Sequence, residues 1–318
     1  MKNDIFWNSV QFIDSKSING VNRVNLEEKL KREKIPFIKN GKKWYIYKEW
    51  KNLIELKSKL FLENGKVISF GNNKGGVGKT TTVINIGAVL STFGFKVLLI
   101  DMDSQANLTH HFNAQIDDDS NTVLSLINGK NTFVRPIKLR DEHKYNGSLD
   151  LIANDLKLAD KYCNFDKKSL VKSLAKLKKN YDFILLDTPP NYSDITPQSL
   201  FASDYGVIVL KSDIYSADGA INFMQLMEKN NTDLISAIIT YCTKQTLSSK
   251  ISTETIKDLF DGFEIFNQNK IRNSSIFGEI ALLGENGAHS LIEDRTNHIV
   301  TEEYINTTLA ILKTLATE

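Results

Sequence analysis

The ten residues Asn73–Thr82, NKGGVGKTTT, bring two lysines, three glycines and three threonines into one short run. Small residues let a backbone close around an anion, because a Cβ would block the approach of its N–H groups. Gly75, Gly76, Val77 and Gly78 therefore read as a cradle for a phosphate chain. Lys79 supplies a charge to its outer phosphates, the Thr80 hydroxyl is placed to ligate Mg²⁺, and Thr81 continues the binding run. The general pattern GxxxxGK[ST] asks for glycine at 73, where this chain has Asn73, and Lys74 is an additional cation inside the loop. Three acids supply the complementary chemistry: Asp101 and Asp103 in DMDSQANLT, and Asp187 in ILLDTPP. A carboxylate closing an apolar strand can hold Mg²⁺ directly or through water, which suits Asp187 first and Asp101 second. Asp103 suits the orientation or deprotonation of an attacking water. Each acid alone could equally do no more than cap its strand.

These residues need elements that bring them together, and the pattern around them supplies these. KVISFG (66–71) reads as a buried strand feeding the loop, and Thr80–Phe93 as a helix ended by Gly94. Strands follow at 96–101, 148–154, 181–187, 204–211 and 234–242, with helices at 166–179 and 217–229 and a terminal amphipathic helix at 301–315. The strands are nearly continuous apolar runs, as in a sheet covered by helices on both faces. The fold class is therefore α/β, a doubly wound and mostly parallel sheet, whose ligands sit beyond the carboxyl ends of the strands. All three acids end strands and so point to the loop's crevice.

Residues 1–65 break this alternation and read as a separate small domain ahead of a body at 66–318. Asn25 and Glu28 look like an N-cap and its return partner, opening a helix over 26–34. IPFI and KWYIY flank Asn40-Gly41, a hairpin signal, and a helix over about 48–62 leads into the body. Helix, hairpin, helix is the outline of a winged helix-turn-helix, with Lys39, Lys42 and Lys43 on the hairpin where a wing meets phosphates. Charge agrees: residues 1–66 hold 15 Lys+Arg against 8 Asp+Glu, leaving 25 against 30 for the rest of a chain whose net charge is +2. A dimerisation arm with Trp44, Tyr45, Tyr47 and Trp50 as a mini-core fits the same residues, and both readings stay open.

Composition excludes several classes. Apolar residues at 41% and charged residues at 25% are ordinary for a globular protein. No apolar run is long enough to span a bilayer, and the amino terminus has no signal-peptide pattern. Cys163 and Cys242 form no CxxC and read as ordinary thiols of a reduced cytoplasm. Adjacent His110 and His111 would point about 100° apart on a helix, which argues against a shared metal.

KGGVGKTTT at 74–82, DMDSQANLT at 101–109 and DTPP at 187–190 resemble, in order and spacing, the motifs of the ParA/MinD group of deviant Walker-A ATPases. The likeness is greatest to the ParA partition ATPases and runs from about residue 66 to 315. It implies that ATP with Mg²⁺ closes a homodimer in which Lys74 reaches the partner's nucleotide. Lys74, Lys79 and Asp103 would then be catalytic, and Asp187 the Walker B acid. It further implies non-specific DNA binding by the ATP dimer, release by a ParB-like centromere-binding partner, and a cytoplasmic, nucleoid-associated protein that positions a plasmid or chromosome. Arg272 sits where relatives carry an arginine implicated in DNA contact. Departures are Ser104, where the family usually has proline, and TYCTKQTLSSK (240–250), which lacks an arginine often seen there and leaves the adenine contacts open. The carboxyl-terminal YINTTLAILKTLATE has too few lysines for a MinD-like membrane helix. A transcriptional regulator working through the amino-terminal domain, and a positioner of protein cargo, are the competing functions.

Overall fold

An Asn-Gly step between two apolar stretches favours a reversal of the chain, and the described residues on either side of one pair as antiparallel strands. The computed structural model describes residues 6–7, 9–15, 17–40, 43–60, 64–116, 122–130, 132, 134–137, 147–155, 167–191, 195–242, 256, 270–279, 290–294 and 299–317. The head runs β1 (Phe6–Trp7), α1 (Ser9–Asp14), α2 (Leu26–Arg32), β2 (Phe37–Asn40), β3 (Lys43–Tyr47) and α3 (Trp50–Lys59). Its strands form an antiparallel sheet in the order β1-β3-β2, with Asn40 opposite Lys43. Phe12, Leu26, Leu30, Ile35, Phe37 and Ile46 make its own small core. The expected capping box does not form. Asn25 spends its side chain on the preceding loop, accepting Asn22 N–H (2.8 Å) and donating to Gly20 O (2.9 Å), so α2 starts without a side-chain cap.

The core does not stop at residue 65. Phe6, Ile38, Tyr47, Leu53 and Leu60 share one apolar cluster with the body. The Tyr47 and Phe93 rings lie 5.2 Å apart, and Lys57 Nζ donates to Phe93 O (2.9 Å) and Gly94 O (3.3 Å).

The body continues with β4 (Lys66–Gly71), α4 (Lys79–Thr92), β5 (Lys96–Asp101), α5 (Asn107–His111), α6 (Val123–Ile127), β6 (Arg135–Pro136) and β7 (Ser148–Ile152). There follow α7 (Lys167–Leu177), β8 (Phe183–Asp187), α8 (Ile195–Phe201), β9 (Tyr205–Lys211), α9 (Ile214–Lys229), β10 (Asp233–Cys242), β11 (Lys270–Arg272), α10 (Leu291–Asp294) and α11 (Ile299–Leu315). These strands form an eight-stranded sheet in the order β11-β10-β9-β4-β8-β5-β7-β6, parallel except for β6 against β7. Successive side chains of a strand point to opposite faces, and the two cores divide accordingly. Val97 and Leu99 of β5, with Phe183 and Leu185 of β8, bury on the face of α4 and α11. Leu98, Ile100, Ile184 and Leu186 bury against α6, α7 and α8.

α9 begins three residues before the expected position 217, at Ile214. Asp213 caps it, accepting the Ser216 N–H at 2.9 Å. α7 is described from Lys167, so residue 166 of the expected helix lies outside the described residues.

Candidate functional site

Strand β4 delivers the chain into the loop, and α4 takes it away from Lys79. Between them the backbone turns through Gly76 (φ +68) and Gly78 (φ +88), left-handed conformations that disfavour any side chain. Among the described residues, the N–H groups of Gly75, Gly76, Val77 and Gly78 donate to no protein acceptor. They stand at the positive end of α4, the arrangement that attracts a phosphate. Lys79 is only 7% exposed, with Nζ donating to Lys74 O (3.2 Å) and Asn72 O (3.4 Å) of the same loop. Burial lowers its pKa, while Asp187 and Asp103 pull the other way. Thr240 Oγ1, on β10, donates to Val77 O (2.6 Å) and clamps the loop from beneath. Thr81 O accepts from Asn85 Nδ2 at 2.8 Å, within α4.

Thr80 Oγ1 donates to Asp187 Oδ2 at 2.7 Å, joining the two expected metal residues directly. Asp187 is 1% exposed, and its Oδ1 has no hydrogen-bond partner. An orphaned, buried carboxylate oxygen next to a threonine hydroxyl is a donor set that fits a hard cation such as Mg²⁺. Burial first, and the facing Asp101 second, hold the Asp187 carboxyl above its ordinary range. The sheet register explains that neighbour: Asp101 lies opposite Asp187 on adjacent strands.

Asp101 is fully buried, and its oxygens are already engaged. Oδ2 accepts Thr109 N (2.9 Å) and Thr109 Oγ1 (2.7 Å), and Oδ1 accepts Asp103 N (3.2 Å). Burial outweighs these bonds and pushes its pKa up to about 7. Its geometry is that of a brace for the loop carrying Asp103. The same loop is held by Asn154, whose Nδ2 donates to Asp103 O (2.9 Å), and it passes through Ala106 at φ +53. Asp103 itself stays buried, with Oδ1 accepting Gln105 N at 2.9 Å.

Lys74 points away from Lys79. Its Nζ pairs with Asp213 Oδ1 (2.8 Å) and lies 5.5 Å from the Tyr215 ring centroid. Its N–H is taken by Asn72 Oδ1 (2.9 Å), and Asn72 Nδ2 donates to Ser216 O (3.1 Å) on α9. Burial would raise the Asp213 pKa, but Lys74 and the Ser216 N–H outweigh it and hold the carboxyl low. Asn72, Thr109, Asn154, Asp213 and Thr240 were not singled out from the sequence. Only the N-capping role of Asp213 had a local signal, in the Asp-x-x-Ser run.

The expected DNA residues make none of the contacts described above. Arg272 is on β11 at the sheet edge, tied to Glu303 through its Nε (2.6 Å) and backbone N–H (2.9 Å). Lys39 and Lys43 lie on the paired hairpin strands β2 and β3, and Lys42 falls outside the described residues. Cys242 is a free thiol, raised by burial to about 11, and Cys163 is outside the described residues. Among the described residues no group of three or more His, Cys, Asp or Glu side chains could hold a metal ion, and no helix is long and apolar enough to cross a membrane.

A glycine loop between a central parallel strand and a helix, with a Thr–Asp pair beside it, defines a P-loop nucleotide-binding protein. An AAA domain family (AAA_31) matches residues 65–239. The chain is 31% identical over 218 residues to the chromosome-partitioning ATPase Soj of Treponema pallidum, covering 66% of this chain and 84% of that protein. It belongs to the ParA/MinD family of P-loop ATPases. A Borrelia burgdorferi protein of the plasmid-partition type, solved with AMPPNP, matches at TM-score 0.62 and 25% identity, over 78% of this chain and 99% of that one. The pNOB8 ParA bound to nonspecific DNA shares the fold at TM-score 0.62 and 17% identity, over 80% and 99% of the two chains.

Proposed function

We propose that this chain is an ATP-switched partition ATPase. It binds ATP with Mg²⁺, closes into a homodimer that holds DNA without sequence preference, and is reset when a ParB-like partner stimulates slow hydrolysis. The observation that carries the reading is one loop with two lysines facing opposite ways, Lys79 inward and Lys74 towards α9.

In this reading the N–H groups of Gly75 to Gly78, with Lys79, Thr80 and Thr81, bind the triphosphate. Thr80 and Asp187 would hold Mg²⁺, which when bound would supply positive charge to the outer phosphates. Asp103 orients the attacking water, Asp101 keeps the Asp103 loop in place, and Lys74 serves the nucleotide of the second subunit. The AMPPNP-bound Borrelia relative supports the nucleotide assignment, and the fold shared with the DNA-bound pNOB8 ParA supports the polyanion.

The experiment is ATP turnover and dimerisation, with and without DNA. Lys79→Ala is expected to lose ATP binding. Asp103→Ala is expected to bind ATP and persist as a dimer without turnover. Undiminished turnover in Asp103→Ala removes that residue's role, and a wild-type protein that takes up no ATP in calorimetry removes the whole reading.

Residues 1–65 are proposed as a small basic unit of winged helix-turn-helix type on the body at 66–318. Its antiparallel β1-β3-β2 sheet with α1 and α2 favours a second reading, a DNA-bound regulator using Lys39, Lys42, Lys43 and the head to find an operator. Charge reversal at Lys39 and Lys43 separates the two. Loss of site-specific binding alone supports the regulator, and absence of any specific site refutes it.

A further inference from the structure

We infer that Asp213 is a positioning residue that keeps Lys74 within its own subunit until a second copy of the chain takes the lysine over. The inference rests on the ATP-closed dimer proposed above and names the contact that closure must displace.

The clasp has two parts of unequal strength. The loop backbone is fixed by bonds of the buried Asn72, from Lys74 N (2.9 Å) and to Ser216 O (3.1 Å), and by Asn73 N donating to Gly219 O (3.3 Å). Among the described residues, the Lys74 side chain is held by Asp213 and the face of Tyr215 alone. That ion pair is open to water, with side chains 34% and 37% exposed, and the Tyr215 residue is 76% exposed. Buried bonds are costly to break and solvent-exposed pairs are not, so the side chain can change partner while the loop stays put. A phosphate of the second subunit's nucleotide is a stronger acceptor for an ammonium than a single hydrated carboxylate. Asp213 is not stranded by the exchange. It still caps α9 through Ser216 N, and Lys211 remains a nearby cation.

Each subunit gives up one pair, so the penalty enters the dimer equilibrium twice. An exposed pair contributes a factor of about 1.4 to 5, and two contribute about 2 to 30. Asp213→Asn tests this directly, because asparagine caps a helix as well as aspartate does and removes only the charge. Sedimentation with AMPPNP and Mg²⁺ is expected to show a dimer dissociation constant about 2- to 30-fold lower than wild type. Asp213→Ser, another good cap, is expected to behave alike. In a Lys74→Ala background Asp213→Asn should add nothing. Unchanged or weaker association of Asp213→Asn, in a protein whose wild type does dimerise, overturns the inference. A wild type that stays monomeric with AMPPNP overturns the dimer reading beneath it, and so the two failures are distinguishable.

Discussion

Replacing Gly219 with alanine sets two effects against each other. Gly219 lies inside α9, where alanine is favoured over glycine by about 1 kcal/mol. Its new Cβ, however, would press into Asn72 Oδ1 and stand 3.3 Å from both Asn72 Cγ and Lys74 N. Asn72 is buried and bonded at both ends of its amide, so it cannot swing aside without giving up those bonds. Losing two hydrogen bonds costs about 1 kcal/mol each, and overpacking adds about 1–3 kcal/mol. The clash therefore exceeds the propensity gain, leaving a net loss of about 2–4 kcal/mol. Because Asn72 bends the loop at Lys74, AMPPNP affinity should fall by about tenfold, the equivalent of ~1.4 kcal/mol. Urea unfolding of the nucleotide-free protein and calorimetry with AMPPNP measure the two quantities. A variant more stable by about 1 kcal/mol with unchanged affinity would refute the reasoning, since helix propensity alone predicts that result.

Lys57→Ala should destabilise the protein by about 1–2 kcal/mol, because it removes the charged donor shared by Phe93 O and Gly94 O. Faster proteolysis between α3 and β4 and a lower urea midpoint are the checks, and an unchanged midpoint counts against the contact. Arg272→Ala and Glu303→Gln each break the same half-exposed tie and should each cost at most about 1 kcal/mol. Salt titration of DNA binding separates a tie from a DNA contact: the slope should fall by about 1 in Arg272→Ala if the guanidinium meets a phosphate.

The sheet was legible because its signal is local and repeated. Strands such as FILLD bury on both faces, so an uninterrupted apolar run suffices to recognise them. The loop was legible because its glycines answer to a backbone requirement, here the left-handed φ of Gly76 and Gly78. Convergence of Asp101 and Asp187 followed from strand ends, and the register places them opposite each other. What was not legible depends on pairings far apart in the chain. Lys74 and Asp213 are 139 positions apart, and Thr240 lies 163 from Val77. No spacing rule reaches that far. Asn25 failed for the opposite reason: its motif was correct, but a nearer loop took its side chain first.

α4 is fourteen residues long, which makes it a rod of about 21 Å. Its amino end opens onto the glycine loop, and its carboxyl end is met by the ammonium of Lys57 and the ring of Tyr47. The negative pole of the phosphate-binding helix is thus neutralised by a cation that belongs to the head. Severing the chain at residue 65 would strip Phe93 of its cover and take that counter-charge away. A truncated protein that binds nucleotide poorly would be showing the injury to this rod as much as any loss of DNA contact.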